Sequence, residues 1–360
     1  MGVTMVEKIV ITGGPCAGKS TAMSRIQSEL TQLGYKVLII TESATELISS
    51  GLNPVDFAEF QTYLTRYQLE KERIYEEASK TLNQKTIIIC DRGVLDNKAY
   101  MSDEQWNRVL NALGTNEVEL RDNYGAVFHL VTAAKGAEQF YTTENNQARW
   151  ETPEQAREND TKVMEAWTGH PHFRIIDNST GFDEKIRRLM AEITSYLGEP
   201  EPYEIERKFL IKYPNIEWLE SLPNVQKVEI IQTYLNSNND DEVRIRQRGL
   251  NGNYIYIKTI KRKVSDIKRM EIERMLSKDE YLDLLMKADT TKHQIRKTRY
   301  CISYNNCYLE LDVFPFWKDE AILEVELSNE NDNVSIPAEI EVIKEVTNDM
   351  NYRNINLASL

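Results

Sequence analysis

The chain predicts an α/β parallel-sheet domain followed by an α+β antiparallel β-barrel domain, and three observations carry that reading. A glycine-rich turn, GGPCAGKST from Gly13 to Thr21, lies between a β-branched apolar run and a helical one. Up to about residue 197, apolar runs alternate with long helical stretches, as in a doubly wound sheet. Beyond Gly198-Glu199-Pro200-Glu201-Pro202 the pattern changes to short strands with alternating charges. Two prolines in three residues cannot continue a helix, so the domains are expected at 1–198 and 203–360. A chain of 360 residues also exceeds one ordinary core.

In the first domain, Lys8 to Thr12 reads as a buried strand and Ala22 to Leu33 as a helix stopped by Gly34. Between them, Gly13, Gly14, Pro15, Cys16, Ala17, Gly18, Lys19, Ser20 and Thr21 satisfy G-x-x-x-x-G-K-[ST]. Strand, turn and helix in that order aim backbone N–H groups and a positive helix end at a phosphate. Lys19 would reach the outer phosphates and the Ser20 hydroxyl would hold Mg²⁺, so these residues predict binding of ATP or GTP. Lys36–Thr41, Thr86–Cys90, Ala126–Val131 and Phe173–Ile176 are the further strands, with a long helix over Pro54–Leu82 and another over Gly181–Leu197.

Ligands of such sheets bind at the carboxyl ends of the strands, where Glu42 and Asp91 fall. Asp91 is a candidate Mg²⁺ group or catalytic base for an acceptor hydroxyl, or else a helix N-cap. Glu42 divides between substrate contact and capping. Arg149 to Asp160 reads as a lid whose helix starts at Thr152-Pro153. Arg149 and Arg157 could close over the triphosphate as charge-neutralising residues, or pair with neighbouring glutamates. His170 and His172 read as turn and packing residues. These residues resemble the P-loop small-molecule kinases grouped with ribosylnicotinamide kinase, which implies an ATP- or GTP-dependent phosphotransferase or a nucleotide switch.

The second domain opens on Tyr203–Ile211 (YEIERKFLI), in which Glu204, Glu206 and Lys208 project from one strand face. Alternation recurs in Arg244 and Arg246, in Lys258, in Arg269, Glu271 and Glu273, in Lys297 and Arg299, in Glu310 and Asp312, and in Glu324 and Glu326. One such strand would mean a solvated sheet face. The series clusters like charges by strand, which suits roughly eight strands closed into a barrel with a charged interior. Inward carboxylates, Glu271, Glu273 and Asp312 among them, would hold Mg²⁺ or Mn²⁺, and inward Lys and Arg, Arg269 included, would clamp a polyphosphate. Ile336–Val346 is expected to be helical, and Asn348, Asp349, Tyr352 and Asn354 to turn and cap.

The ordered set resembles the CYTH, or triphosphate tunnel metalloenzyme, family across 203–357. That resemblance implies metal-dependent attack of water on a terminal phosphoryl group of an inorganic or organic triphosphate, or less often cyclisation of ATP. It assigns Glu204, Glu206, Glu324 and Glu326 to metal, and Lys208, Arg244, Arg246, Lys258, Lys297 and Arg299 to phosphate. Glu206 and Lys208 are its candidate catalytic pair. The two-part layout is similar to the insect TRPL translocation defect family, which implies an alternative: a GTP or ATP switch with a non-catalytic tunnel for a phosphate-headgroup lipid. RNA 5′-end processing is a third reading. A net charge of −13 and the lack of a basic stripe interleaved with aromatics argue against nucleic acid.

Hydrophobic residues at 41% and charged residues at 28% fit a globular protein. No apolar run is long enough to cross a bilayer and no signal-peptide core is present, so the expectation is cytoplasmic. Val6 stands where a myristoylation signal wants Ser or Thr. Four cysteines (Cys16, Cys90, Cys301, Cys307) lack metal-ligand spacing and suit a reducing compartment. Cys16, inside the loop, predicts a nucleotide site open to alkylating reagents.

Overall fold

The computed structural model describes residues 6–52, 57–141, 152–199, 206–237, 241–263, 269–327 and 333–359. Of the predicted site residues, Arg149 and Glu204 lie outside the described residues, as does the side chain of Arg269. The chain divides into two compact units, Met1–Met190 and Ala191–Leu360.

The first unit runs β1 (Val6–Thr12), α1 (Lys19–Gln32), β2 (Lys36–Ile40), α2 (Ser43–Ser49), α3 (Phe57–Ser79), β3 (Thr86–Asp91), α4 (Asp103–Leu113), α5 (Glu117–Arg121), β4 (Ala126–Leu130), α6 (Pro153–Trp167) and β5 (Phe173–Ile176). Helix α7 (Phe182–Tyr196) follows and crosses the division. All five strands are parallel, in the order β2-β3-β1-β4-β5. Ile9–Ile11 and Ile87–Ile89 are wholly buried, so continuous apolar runs form the central strands. Helix α6 begins as its sequence predicts. Thr152 Oγ accepts from Gln155 N–H and Gln155 Oε1 accepts from Thr152 N–H, with Pro153 in the first turn.

The second unit holds β6 (Glu206–Lys212), α8 (Ile216–Ser221), β7 (Val225–Tyr234), β8 (Glu242–Leu250), β9 (Asn253–Lys263), β10 (Arg269–Leu276), α9 (Lys278–Leu285), β11 (Ile295–Tyr304), β12 (Cys307–Val313), β13 (Glu320–Glu326), β14 (Val342–Glu345) and α10 (Asn354–Leu357). Nine antiparallel strands form one sheet, β10-β9-β8-β7-β11-β12-β13-β6-β14. The expected antiparallel sheet is present, but its closure is corrected: among the described residues it has nine strands rather than roughly eight, and its edges β10 and β14 do not pair, so it is not closed. The expected helix over Ile336–Val346 is also corrected. Apolar spacing there looks helical, yet Val342–Glu345 pairs with β6 as an edge strand. Lys212 N–H donates to Glu341 and Val346 N–H to the Lys208 carbonyl, so satisfying the β6 edge overrides local periodicity.

One face of this sheet is apolar. Phe209, Ile211, Tyr300, Ile302, Leu309, Leu311, Leu323 and Val325 form a buried cluster on it with Leu219 of α8. In β6 and β11–β13 the acidic and basic pairs Glu206/Lys208, Lys297/Arg299, Glu310/Asp312 and Glu324/Glu326 have the opposite parity. Among the described residues no helix is long and apolar enough to cross a membrane. No cysteine is in a disulfide.

Candidate functional sites

In the first unit, the turn from β1 into α1 is held in a conformation that its glycines permit. Gly13 has φ +137° and Gly18 φ +90°, and a Cβ on Gly13 would lie 2.0 Å from the Leu130 carbonyl oxygen. Cys16 adopts φ +56° without being glycine, a strain that the surrounding hydrogen bonds hold in place. Lys19 Nζ donates to the Gly13 carbonyl at 3.2 Å. Its burial, with Arg92 nearby, lowers its pKa to about 8. Ser20 and Thr21 are exposed at the helix start.

Asp91 ends β3 beside this turn. Its Oδ1 is buried with no hydrogen-bond partner among the described residues, and burial raises its pKa. The 3-10 helix after it is capped at Gly93, so the capping alternative for Asp91 does not hold. Glu42 does not cap α2 through its side chain either; it pairs with Arg92 Nε at 2.7 Å. Burial opposes ionisation of Glu42, but Arg92 and Lys19 lower its pKa on balance. Arg92, at φ +69°, also meets Asp96, whose carboxylate accepts from Thr12 Oγ and Trp167 Nε1. Lys19, Glu42, Asp91 and Arg92 thus gather at the carboxyl ends of β1–β3. Arg157 is engaged elsewhere, donating to the Ala134 carbonyl and pairing with Glu154.

Sequence reading missed three residues that hold the turn. Asp160 accepts from Gly14 N–H, Thr132 Oγ donates to the Pro15 carbonyl, and Lys185 Nζ donates to the Ala17 carbonyl. Each belongs to a segment remote in sequence and carries no motif.

In the second unit the register decides which side chains share a face, because directly opposed residues in antiparallel strands point the same way. Glu206 opposes Glu326 and Lys208 opposes Glu324. Glu324 opposes Glu310, Asp312 opposes Arg299, and Arg299 opposes Val228. Farther along, Tyr234 opposes Arg244, Arg244 opposes Thr259, and Thr259 opposes Glu273. One continuous face therefore presents Glu206, Lys208, Arg244, Arg246, Glu271, Glu273, Lys297, Arg299, Asp312, Glu324 and Glu326.

Lys258 is the exception and is corrected. It opposes Ile245 and Arg274 on the other face, while Lys261 faces inward three residues later. The run YIYIKTIK is apolar at both parities, so its own pattern could not decide between the two lysines. Arg248, Thr259 and Lys261 belong to the same inward face and were not singled out as ligands.

The inward face is not a solvated one. Lys208, Arg244, Lys297, Arg299, Glu310, Asp312 and Glu324 are all buried. Arg299 bridges Glu310, Asp312 and Glu324, the last two at 2.7 Å. Lys297 also takes Asp312, and Lys208 takes Glu324 at 2.8 Å. A second group joins Arg244 and Lys261 to Glu271, and Arg246 to Glu273 and Thr259. Burial alone would lower the Lys208 pKa, yet Glu324 and Glu206 raise it. Burial would raise that of Glu324, yet Lys208, Lys297 and Arg299 hold it well below the usual range. Burial and Arg299 lower Lys297.

Among the described residues no three His, Cys, Asp or Glu are arranged to hold a metal. Glu206 and Glu326 are nonetheless directly opposed like charges, a costly arrangement that a cation relieves, and Lys208 Nζ lies 3.6 Å from Glu206. Mg²⁺ commonly takes one or two carboxylates with substrate phosphates and waters, so this pair fits it without a full protein cage.

Residues 8–185 match the model of an AAA domain, and residues 202–352 that of a CYTH domain. No curated protein matches the chain. Among solved structures, the inorganic triphosphatase NE1496 is similar at 28% identity and a TM-score of 0.30, over 44% of this chain and 95% of that one. Protein PH1819 from Pyrococcus horikoshii OT3 is similar at 24% identity and a TM-score of 0.27, over 34% of this chain and 77% of that one.

Proposed function

We propose that this chain, an AAA domain followed by a CYTH domain, is a metal-dependent phosphohydrolase of triphosphates in its second unit and binds ATP or GTP in its first. The observation that carries the reading is the single, largely buried face on which register aligns basic and acidic side chains from seven strands, β6 and β8 to β13. A sheet keeps its charges under cover only if they neutralise one another or a ligand, since an uncompensated buried charge is strongly unfavourable.

A triphosphate entering this face would exchange partners with its ion pairs. Arg244, Arg246 and Lys261 are oriented by Glu271 and Glu273 and would turn to phosphate oxygens, for which the arginine fork offers two donors. Glu324 is already compensated by Lys208 and Arg299. Glu206 and Glu326, opposed between β6 and β13, would hold Mg²⁺ or Mn²⁺, with Glu206 exchanging its contact to Lys208. That cation would supply charge neutralisation and an acidified water. Lys208, paired with Glu324 and 3.6 Å from Glu206, would hold the terminal phosphoryl group against that water. In the first unit, Lys19 and the N–H groups of the turn would bind the outer phosphates, and Asp91 would take a proton from an acceptor hydroxyl.

Phosphate release from tripolyphosphate, ATP and GTP with Mg²⁺ or Mn²⁺ tests the reading. Wild type is compared with Glu326→Gln and Lys19→Ala. The expected result is tripolyphosphate turnover that is lost in Glu326→Gln and kept in Lys19→Ala. Nucleotide binding without release from any substrate would refute the hydrolase and favour a switch with a receptor tunnel.

A further inference from the structure

Asp160 sits in the middle of α6, a helix rich in exposed charges, yet it is wholly buried. Its Oδ1 accepts from the backbone N–H of Gly14 and of Thr132, both at 3.0 Å, and lies 3.1 Å from His129 Nε2. Its Oδ2 accepts from Lys135 Nζ at 3.2 Å. One carboxylate therefore joins α6, β4, the segment after β4 and the glycine-rich turn. Burial alone would keep it protonated, but His129 and Lys135 together with the Gly14 amide hold it ionised.

The consequence for the turn follows from peptide geometry. A trans peptide points its C=O and the next N–H in opposite directions. The carbonyls of Pro15, Cys16 and Ala17 are tied to Thr132 Oγ, Ala133 N–H and Lys185 Nζ, the last two at 3.3 Å. The N–H groups of Cys16, Ala17 and Gly18 are thereby turned away from that backing. The peptide between Gly13 and Gly14 is reversed. Its N–H points into the backing, at Asp160, and its carbonyl points out toward Lys19 Nζ. This reversal, with Cys16 in the left-handed region, makes the concave row of donors that binds an anion.

We infer that Asp160 is the positioning residue of the nucleotide site: it sets the reversed Gly13–Gly14 peptide and, through Thr132, the carbonyl of Pro15. A carboxylate suits the task because it accepts from four donors at once. An amide in its place would direct N–H at Lys135 Nζ and could not. The gap is also closed to bulk, since a Cβ on Gly14 would lie 2.8 Å from Asp160 Oδ1. Helix α6 also reaches the other side of the site, where Trp167 Nε1 donates to Asp96 at 2.6 Å. Two turns of one helix thus span the phosphate turn and the Arg92 corner.

The inference rests on the reading that the turn binds a nucleoside triphosphate, and its test separates the two. In the full-length protein, ATP and GTP affinities are measured by calorimetry with Mg²⁺ for wild type, Asp160→Asn and Thr132→Val. Iodoacetamide labelling of Cys16 and Cys90 is followed by mass spectrometry without nucleotide. Losing a hydrogen bond to a charged acceptor is worth roughly tenfold or more, so Asp160→Asn should weaken nucleotide binding by about that factor. Cys16, partly exposed on the turn, should label several-fold faster, while buried Cys90 stays unlabelled. Thr132→Val keeps Asp160 and should show the same two changes in smaller measure, and it carries the test if Asp160→Asn does not fold. Unchanged affinity in both variants overturns the inference, as does Cys90 labelling alongside Cys16, which would mean that the whole unit has loosened. Failure of wild type to bind either nucleotide would instead refute the nucleotide reading, and the inference with it.

Discussion

Replacing Arg299 by Met removes the centre of the buried charge group in the second unit. Its guanidinium meets Glu310, Asp312 and Glu324. Lys297 still takes Asp312 and Lys208 still takes Glu324. The change therefore strands the Glu310 carboxylate, whose side chain is 10% exposed. Breaking a buried pair from one side costs about 3–5 kcal/mol. At about 2–4 °C per kcal/mol for a unit of this size, the second unit should melt roughly 6–20 °C lower. Differential scanning calorimetry at pH 8 and pH 5 reads the effect. The loss should be smaller at pH 5, because an uncompensated buried carboxylate neutralises by protonation. Arg299→Lys keeps the charge but not the fork and should fall between. A shift below about 2 °C for Arg299→Met, equal at both pH values, would show that water already screens the group and would refute the argument from burial.

Further outcomes follow from the same geometry. Lys261→Ala should lower tripolyphosphate turnover by roughly tenfold or more, and Lys258→Ala should stay within about twofold; steady-state kinetics that reverse this order would contradict the register. With Lys19 titrating at about 8, nucleotide affinity should be flat below that pH. It should then fall by up to about tenfold per pH unit above it, as the free protein loses a charge that the bound complex keeps; a flat profile from pH 7 to 9.5 would refute this assignment. The sign for stability is opposite. A lysine lowered in the native state leaves the unfolded chain holding more protons between about 8 and its ordinary value, so the ligand-free first unit should gain stability as pH rises there. Gly13→Ala places a methyl against the Leu130 carbonyl, and should abolish nucleotide binding and destabilise the first unit by about 3 kcal/mol or more, read by chemical denaturation.

The first unit was legible because its signals are local. KIVIT and TIIIC become the buried β1 and β3, and the phosphate-loop spacing falls between β1 and α1 as expected. What escaped is non-local support. Asp160 lies 146 residues from Gly14; helical spacing puts it on the stripe of Ala156, Val163, Met164 and Trp167, away from the exposed Glu154 and Glu158, but names none of its partners. In the second unit, alternation revealed the charged face strand by strand, since a run such as YLELDVF has one apolar parity and one acidic parity. It failed at β9, where both parities are apolar and only the pairing with β8 and β10 selects Lys261. It failed again at Val342–Glu345, whose strand conformation is imposed by the unfilled edge of β6. Closure of the sheet depends on the two strands at its opposite edges, β10 and β14, which are far apart in sequence, and no local pattern encodes that.

The unpaired edges of the nine-stranded sheet have a mechanical consequence. A closed barrel has its bore set by strand number and stagger, so its width is rigid. Here, among the described residues, no hydrogen-bond ladder joins β10 to β14. In the sheet, β7 and β11 lie between the wall of β8, β9 and β10 and the wall of β12, β13 and β6, like the spine between the two covers of a book. Opening or narrowing the space between them costs sheet twist rather than broken ladder bonds. A ligand that binds both covers would choose its own gap, so discrimination should track the number of charges a ligand presents more closely than its length.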